Sequence, residues 1–129
     1  MKYRLMDLLA CPICKAFPLE LYVFNLREVK PPERVKPCEL YCAYHGSMLK
    51  ELGEEPRCRE CYGKEIVDGL LLCPNCGRWY PIEEEIPRLL PDELRERNQD
   101  LKFLSRWRAK APRRVLESGK PFNLRESNP

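Results

Sequence analysis

Eight cysteines fall into four pairs: Cys11-Pro12-Ile13-Cys14, Cys38 with Cys42, Cys58-Arg59-Glu60-Cys61, and Cys73-Pro74-Asn75-Cys76 followed by Gly77. No thiol is left over. A C-x-x-C turn wraps two thiolates around one side of a metal ion, and two such turns complete a tetrahedral four-sulfur site, the arrangement that suits zinc. The proline after the first cysteine in two of the pairs presets φ, and Gly77 tolerates a left-handed conformation, so both suit a tight metal-binding turn. One C-x-x-C alone is weak evidence; four pairs without a stray are strong. His45, three residues beyond Cys42, is the one competing ligand.

Other uses of these thiols fit less well. Disulfides need an oxidising compartment, yet Met1–Asp7 carries charges and only Leu8-Leu9-Ala10 follows. That is no secretory leader, and no apolar run approaches membrane-spanning length. The expected setting is the cytoplasm, where this spacing points to metal. A redox C-x-x-C belongs beside a βαβ pattern, and none is found. Iron in a similar cage, as in a rubredoxin-like electron carrier, is the remaining metal alternative.

The chain has 129 residues, 33% of them charged, and 13 prolines, so its apolar core is modest and a structural metal is a natural reinforcement. There is no threonine, one histidine and four serines, which argues against hydroxyl or histidine catalysis. No cofactor-binding glycine motif is present either, so an enzyme is not expected. Abundant Lys, Arg and Glu with one glutamine is a heat-adapted, archaeal-like composition. The net charge of +3 is uneven: residues 101–129 hold eight Lys or Arg against two Glu, a net of +6, and the first hundred residues are near −3.

The elements that must position the cysteines can be read along the chain. Leu19–Phe24 alternates like a strand just after the first cysteine turn. Pro31-Pro32 excludes helix from the stretch 27–37. Pro37–Cys42 reads as a short helical turn with Cys38 and Cys42 on one face, stopped by Gly46. Ile66-Val67 and Leu70–Leu72 lead into the last cysteine turn as a buried strand. Arg78–Ile82, the acidic turn Glu83-Glu84-Glu85 and Ile86–Leu90 form a hairpin, with Pro81 and Pro87 at strand ends or on an edge. Pro91-Asp92-Glu93 opens a helix that Pro112 ends. Leu94, Leu101, Leu104 and Ala111 share one face of it, with Phe103 and Trp107 nearby.

Strand, knuckle, strand around Cys11/Cys14 and again around Cys73/Cys76 describes a zinc ribbon. The expected fold is therefore a small, metal-stabilised α+β chain in three parts. Residues 1–24 plus 66–91 make the ribbon, 25–65 an inserted cysteine-rich second zinc module, and 92–129 a basic C-terminal helix and tail. Spacing alone leaves both nested and sequential pairing of the cysteines open.

Two blocks carry a more specific likeness. Asp7-Leu8-Leu9-Ala10-Cys11-Pro12-Ile13-Cys14 followed by Pro18–Leu21, and Gly69–Ile82 followed by Ile86–Pro91, resemble the tRNA-methyltransferase subunit 112 family. The resemblance implies a small, non-catalytic zinc-binding subunit. Such subunits bind, stabilise and activate S-adenosylmethionine-dependent methyltransferases acting on tRNA, rRNA or a translation release factor. It assigns one zinc to Cys11, Cys14, Cys73 and Cys76, leaving Cys38, Cys42, Cys58 and Cys61 for a second. It also implies docking as a heterodimer by strand addition to the methyltransferase sheet. The apolar contact set expected for that is Leu8, Leu9, Trp79, Tyr80, Ile82, Ile86, Leu89 and Leu90, shared between the partner and the ribbon's own small core. The four extra cysteines and the long basic tail depart from the family pattern. The tail reads either as a grip on RNA or as a solvated helix packed on the body. A stand-alone nucleic-acid-binding zinc ribbon is the alternative to the activator, and the acidic body counts against it.

Overall fold

An alternating run such as Leu19–Phe24 needs one covered face, whereas the unbroken run Leu70–Leu72 needs two, so the second must lie inside the sheet. The computed structural model describes residues 1–125 and satisfies both demands. A 3-10 turn, Tyr3–Asp7, precedes the first strand, β1 (Glu20–Glu28). Then come a short hairpin of β2 (Tyr41–Cys42) and β3 (Ser47–Met48), and one helical turn, α1 (Cys58–Tyr62). The remaining strands are β4 (Lys64–Leu72), β5 (Trp79–Glu83) and β6 (Ile86–Pro87), followed by helices α2 (Arg97–Arg106) and α3 (Arg113–Ser118). The main sheet is antiparallel in the order β1-β4-β5-β6, which puts β4 between two neighbours.

Period-two alternation divides the core between the two faces of this sheet. Leu71, Tyr80 and Ile82 point to one face with Met6, Leu19, Ile66, Cys11 and Cys73. Leu70, Leu72 and Trp79 point to the other with Phe24, Phe103, Leu104 and Val115. The N-terminal turn and the cysteine knuckles cover the first face; α2 and α3 cover the second. Trp79 stacks on Phe103 with ring centroids 5.7 Å apart, and its indole N–H donates to the Phe122 carbonyl at 2.8 Å. The C-terminal segment is thereby stitched to the start of β5, where the Trp79 N–H also donates to the Lys120 carbonyl.

The inserted segment leaves the sheet at one point. Glu28 pairs with Lys64 in the β1–β4 register, so residues 29–63 loop out between partners that face each other. Both strands run through 25–28 and 64–65, further than the apolar pattern reached, because polar residues at a sheet edge complete the ladder without being buried.

The C-terminal helix differs from its sequence reading. Asp92–Leu94 is a separate 3-10 turn, and Arg95 and Glu96 are extended. The break lets Arg95 turn inward: its guanidinium donates to the Trp79 carbonyl at 2.7 Å and to Asp100 at 2.9 Å, and lies 4.6 Å over the Trp79 ring. Pro112 starts α3 instead of closing one long helix. Leu94, placed on the buried face by spacing, is 65% exposed. In the β5–β6 hairpin both turn residues, Glu84 and Glu85, have positive φ (51° and 71°), the conformation of a two-residue type I′ turn usually filled by Asn or Gly.

Candidate metal centre

Each knuckle of the ribbon is built by the same two backbone bonds. The Cys11 N–H donates to the Ala16 carbonyl and the Lys15 N–H to the Cys11 carbonyl, at 3.0 and 2.9 Å. In the second knuckle the Cys73 N–H donates to Arg78 and the Gly77 N–H to Cys73, at 2.8 and 3.0 Å. The residue after the second cysteine is left-handed in both, Gly77 at φ 80° and Lys15 at φ 67°. Sequence identified Gly77 through its type. Lys15 carries no such signal and was not singled out; only its equivalent position after Cys14 could have found it.

The β1–β4–β5 pairing brings the two knuckles together. All eight cysteines are free thiols. The sulfur atoms of Cys11, Cys14, Cys73 and Cys76 all lie within 4.8 Å of one another. Cys11–Cys76 is 3.7 Å and Cys14–Cys73 is 3.4 Å. A tetrahedron with metal–sulfur bonds of about 2.3 Å has edges of about 3.8 Å, so the four thiols fit one zinc-sized ion. The pairing is nested, first cysteine pair with last. Four sulfurs would close the coordination shell of such an ion and leave no open position for a substrate, the donor set typical of structural zinc.

The surroundings hold the sulfurs in place. The Tyr80 hydroxyl lies 3.2 Å from the Cys11 sulfur. The Asn75 side chain, then the Ala16 backbone N–H, hold the Cys14 thiol down at about 6, whereas burial pushes Cys73 up to about 12. Burial opposes ionisation of Cys11 as well, but the Cys14 and Ile13 amides and Tyr80 outweigh it. Arg78 is fixed by a bidentate pair with Asp92, at 3.0 and 2.9 Å, and Asp92 and then Cys76 favour its charged form. A four-thiolate zinc carries net charge −2, and these donors offset it. Asn75 and Arg78 were not read as site residues from sequence, and Tyr80 was read there as a partner contact, not as a neighbour of the cysteine sulfurs. Such outer partners orient ligands without binding the metal.

The other four cysteines come from different elements. Cys38 precedes β2, Cys42 ends it, and Cys58 and Cys61 lie in the single turn of α1. All four line one small cavity of about 10 Å³, together with Arg4, Lys36 and Leu49. Burial, followed by the neighbouring Cys42, raises Cys61 to about 12; burial and then Asp7 raise Cys38 to about 11. Among the described residues only the first tetrad brings its ligand atoms within 4.8 Å of one another. The Cys38–Cys42 turn is held by Asp7, whose carboxylate accepts the backbone N–H groups of Glu39, Leu40 and Tyr41 at 2.7–2.8 Å. His45 is turned away: its Nε2 accepts the Arg57 N–H at 3.1 Å, and it does not line the cavity.

The apolar contact set divides by burial. Trp79, Tyr80 and Ile82 are completely buried and belong to the core, because both faces of β5 are covered. Leu8, Ile86 and Leu90 are exposed, at 63%, 58% and 38%. Leu9 and Leu89 are half-buried and pack on the same core cluster as Tyr80.

Among the described residues, no helix is long and apolar enough to cross a membrane. No curated protein matches the chain. The model of the Trm112p-like protein family matches residues 2–85, a span that begins just before the 3-10 turn, contains both knuckles and ends in the β5–β6 turn. With that match covering well over half of its residues and the four-cysteine site inside it, the chain belongs to the Trm112p-like family, whose members are non-catalytic activating partners of methyltransferases.

Proposed function

We propose that this chain is a zinc-binding subunit that binds, stabilises and activates S-adenosylmethionine-dependent methyltransferases modifying tRNA, rRNA or a translation release factor in the cytoplasm. The observation that carries the reading is the family match over residues 2–85 on a ribbon whose metal site is closed. A closed site serves folding, so the activity lies in what the ribbon holds.

Leu8, Leu9, Ile86, Leu89 and Leu90 form the contact set of a heterodimer. Leu9 and Leu89 rest on one core cluster, their chain neighbours Leu8 and Leu90 are exposed, and Ile86 is exposed on β6. β6 is a two-residue edge strand whose Pro87 lacks an N–H. A short proline-bearing edge resists random pairing, so selectivity rests on its apolar neighbours. The test is capture of methyltransferases by a tagged chain, compared with the Leu8→Asp/Ile86→Asp variant. Both positions are exposed, so the variant folds. Capture by the parent and loss in the variant is the expected result. Equal capture by both removes the contact assignment, and absence of any methyltransferase removes the activator reading.

Zinc is the metal assigned to the first tetrad, and the reading places a second zinc in the insertion, on Cys38, Cys42, Cys58 and Cys61. Support comes from the cavity these four thiols share and from the Asp7 carboxylate that orders their turn. Metal analysis should give two zincs per chain. Cys58→Ser/Cys61→Ser should give one, with the β4–β5 ladder still protected from hydrogen exchange. A single zinc in the parent chain overturns the second assignment.

A further inference from the structure

The C-terminal segment lies beyond the part matched by the family model, and its charge is not explained by its packing. Phe103, Leu104 and Val115 bury the apolar side of α2 and α3 on the sheet. The opposite side is cationic. Lys102, Arg106 and Arg108 are exposed, and none has a carboxylate within ion-pair reach among the described residues. Asp100 and Glu117 are the only acidic residues between 97 and 125. The first is buried against Arg95 and the second is paired with Arg113. Two open grooves lie beside α2 and α3, where these cations meet the rest of the chain. One, of about 290 Å³, is lined by Arg88, Lys102, Arg106 and Phe103, with Glu83 and Gln99. The other, of about 400 Å³, is lined by Arg108, Arg113 and Arg125 with Leu116, Leu124 and the Arg113-paired Glu117.

We infer that this face binds the phosphate backbone of RNA. Arginine predominates, and its planar fork matches phosphate oxygens in pairs, where lysine offers a point charge. Lys102 and Arg106, at i and i+4, stand side by side on α2. The composition also excludes the usual protein-binding design, which centres on apolar anchors inside a polar rim. Among the described residues every exposed large hydrophobic lies between Leu8 and Leu94, and none falls between 97 and 125. Cations without anchors make a surface that follows a charged backbone and reads no sequence.

The test uses the full-length, metal-loaded chain and a fluorescein-labelled tRNA transcript, with affinity measured from 50 to 200 mM salt. Three neutralised contacts should reduce the slope of log affinity against log salt by roughly two to three units, at about 0.7–0.9 per phosphate. Lys102→Gln/Arg106→Gln/Arg108→Gln is the variant. Lys30→Gln/Arg34→Gln/Lys50→Gln, exposed cations of the body, is the charge-matched control and should change the slope by less than one unit. Metal content and thermal melting of each variant establish that it is folded. No tRNA binding by the parent at 50 mM salt, or equal slope losses in the two variants, overturns the inference. Displacement of tRNA by polyglutamate at equal charge concentration also overturns it, in favour of an acidic protein surface. Methyltransferase capture is scored on the same variants, so failure here stays distinct from failure of the activator reading.

Discussion

Replacing Asp7 tests whether the ribbon and its insertion are one cooperative unit. Asp7 is 7% exposed and ends the turn that leads into Cys11, yet its carboxylate serves amides more than thirty residues away. One oxygen accepts from Leu40 and Tyr41 at 2.8 and 2.7 Å, and the other accepts from Glu39 at 2.8 Å. Asp7→Asn keeps one acceptor, so two bonds survive without their charge, and the new amide group confronts the Glu39 N–H donor to donor. A hydrogen bond to a charged group contributes about 1.5–3 kcal/mol, so the loss should be about 2–3 kcal/mol. Asp7→Ala, which removes all three acceptor contacts, should cost about 3–5 kcal/mol, part of it recovered by water. For a chain of this size each kcal/mol corresponds to about 4 °C, so Asp7→Asn should melt roughly 8–12 °C lower. Amide hydrogen exchange at Glu39, Leu40 and Tyr41 should accelerate together. A melting point within about 2 °C of the parent, with exchange at those amides unchanged, would refute the reasoning.

Four further outcomes follow from the geometry. Lys15→Gly should stabilise the first knuckle by up to about 1 kcal/mol, and Gly77→Ala should destabilise the second by about 1–2, because both positions are left-handed; chemical denaturation measures both. Gly119→Ala would bring a Cβ to 2.6 Å from the Val115 carbonyl and 2.7 Å from the Trp79 ring, so it should cost about 1–3 kcal/mol, whereas Gly53→Ala, with open space around it, should be neutral in the same melts. Asp100→Asn leaves the Arg95 guanidinium buried without its counter-charge and should cost about 3–5 kcal/mol, with the Trp79 fluorescence environment changing as α2 loosens. Cys73→Ser should release the ribbon's metal and abolish exchange protection across β4 and β5, since a structural zinc supplies roughly 10–16 kcal/mol of folding free energy.

What was legible in the sequence was what local chemistry dictates. The two C-P-x-C turns, the buried run Leu70–Leu72 and the hairpin after Trp79 depend on neighbours within a few residues, and they lie where their patterns put them. The C-terminal helix was less legible because its break answers a distant demand: Arg95 must reach the Trp79 carbonyl and Asp100 together, which a continuous helix would prevent. Trp79, Tyr80 and Ile82 belonged to a set expected to be shared between the partner and the ribbon's own core, because a bare ribbon has little interior. α2 and α3, packed on the body, give β5 a second covered face, and that assigns all three to the core. Asp7 shows the same limit, since nothing near it in sequence identifies its amide partners.

The resulting surface is divided in a way that bears on mechanism. Exposed apolar side chains end at Leu94, and unpaired cations dominate from Lys102 onward, with the buried Arg95–Asp100 pair at the boundary. A subunit that must hold a protein partner and also meet its RNA needs these surfaces apart, because a cation inside an apolar interface loses hydration without gaining a counter-charge. The two functions should therefore fail independently. Leu8→Asp/Ile86→Asp should release the methyltransferase while leaving the salt slope for tRNA unchanged, and the Lys102, Arg106 and Arg108 substitutions should do the reverse. Coupled loss in either variant would mean that one continuous surface serves both partners.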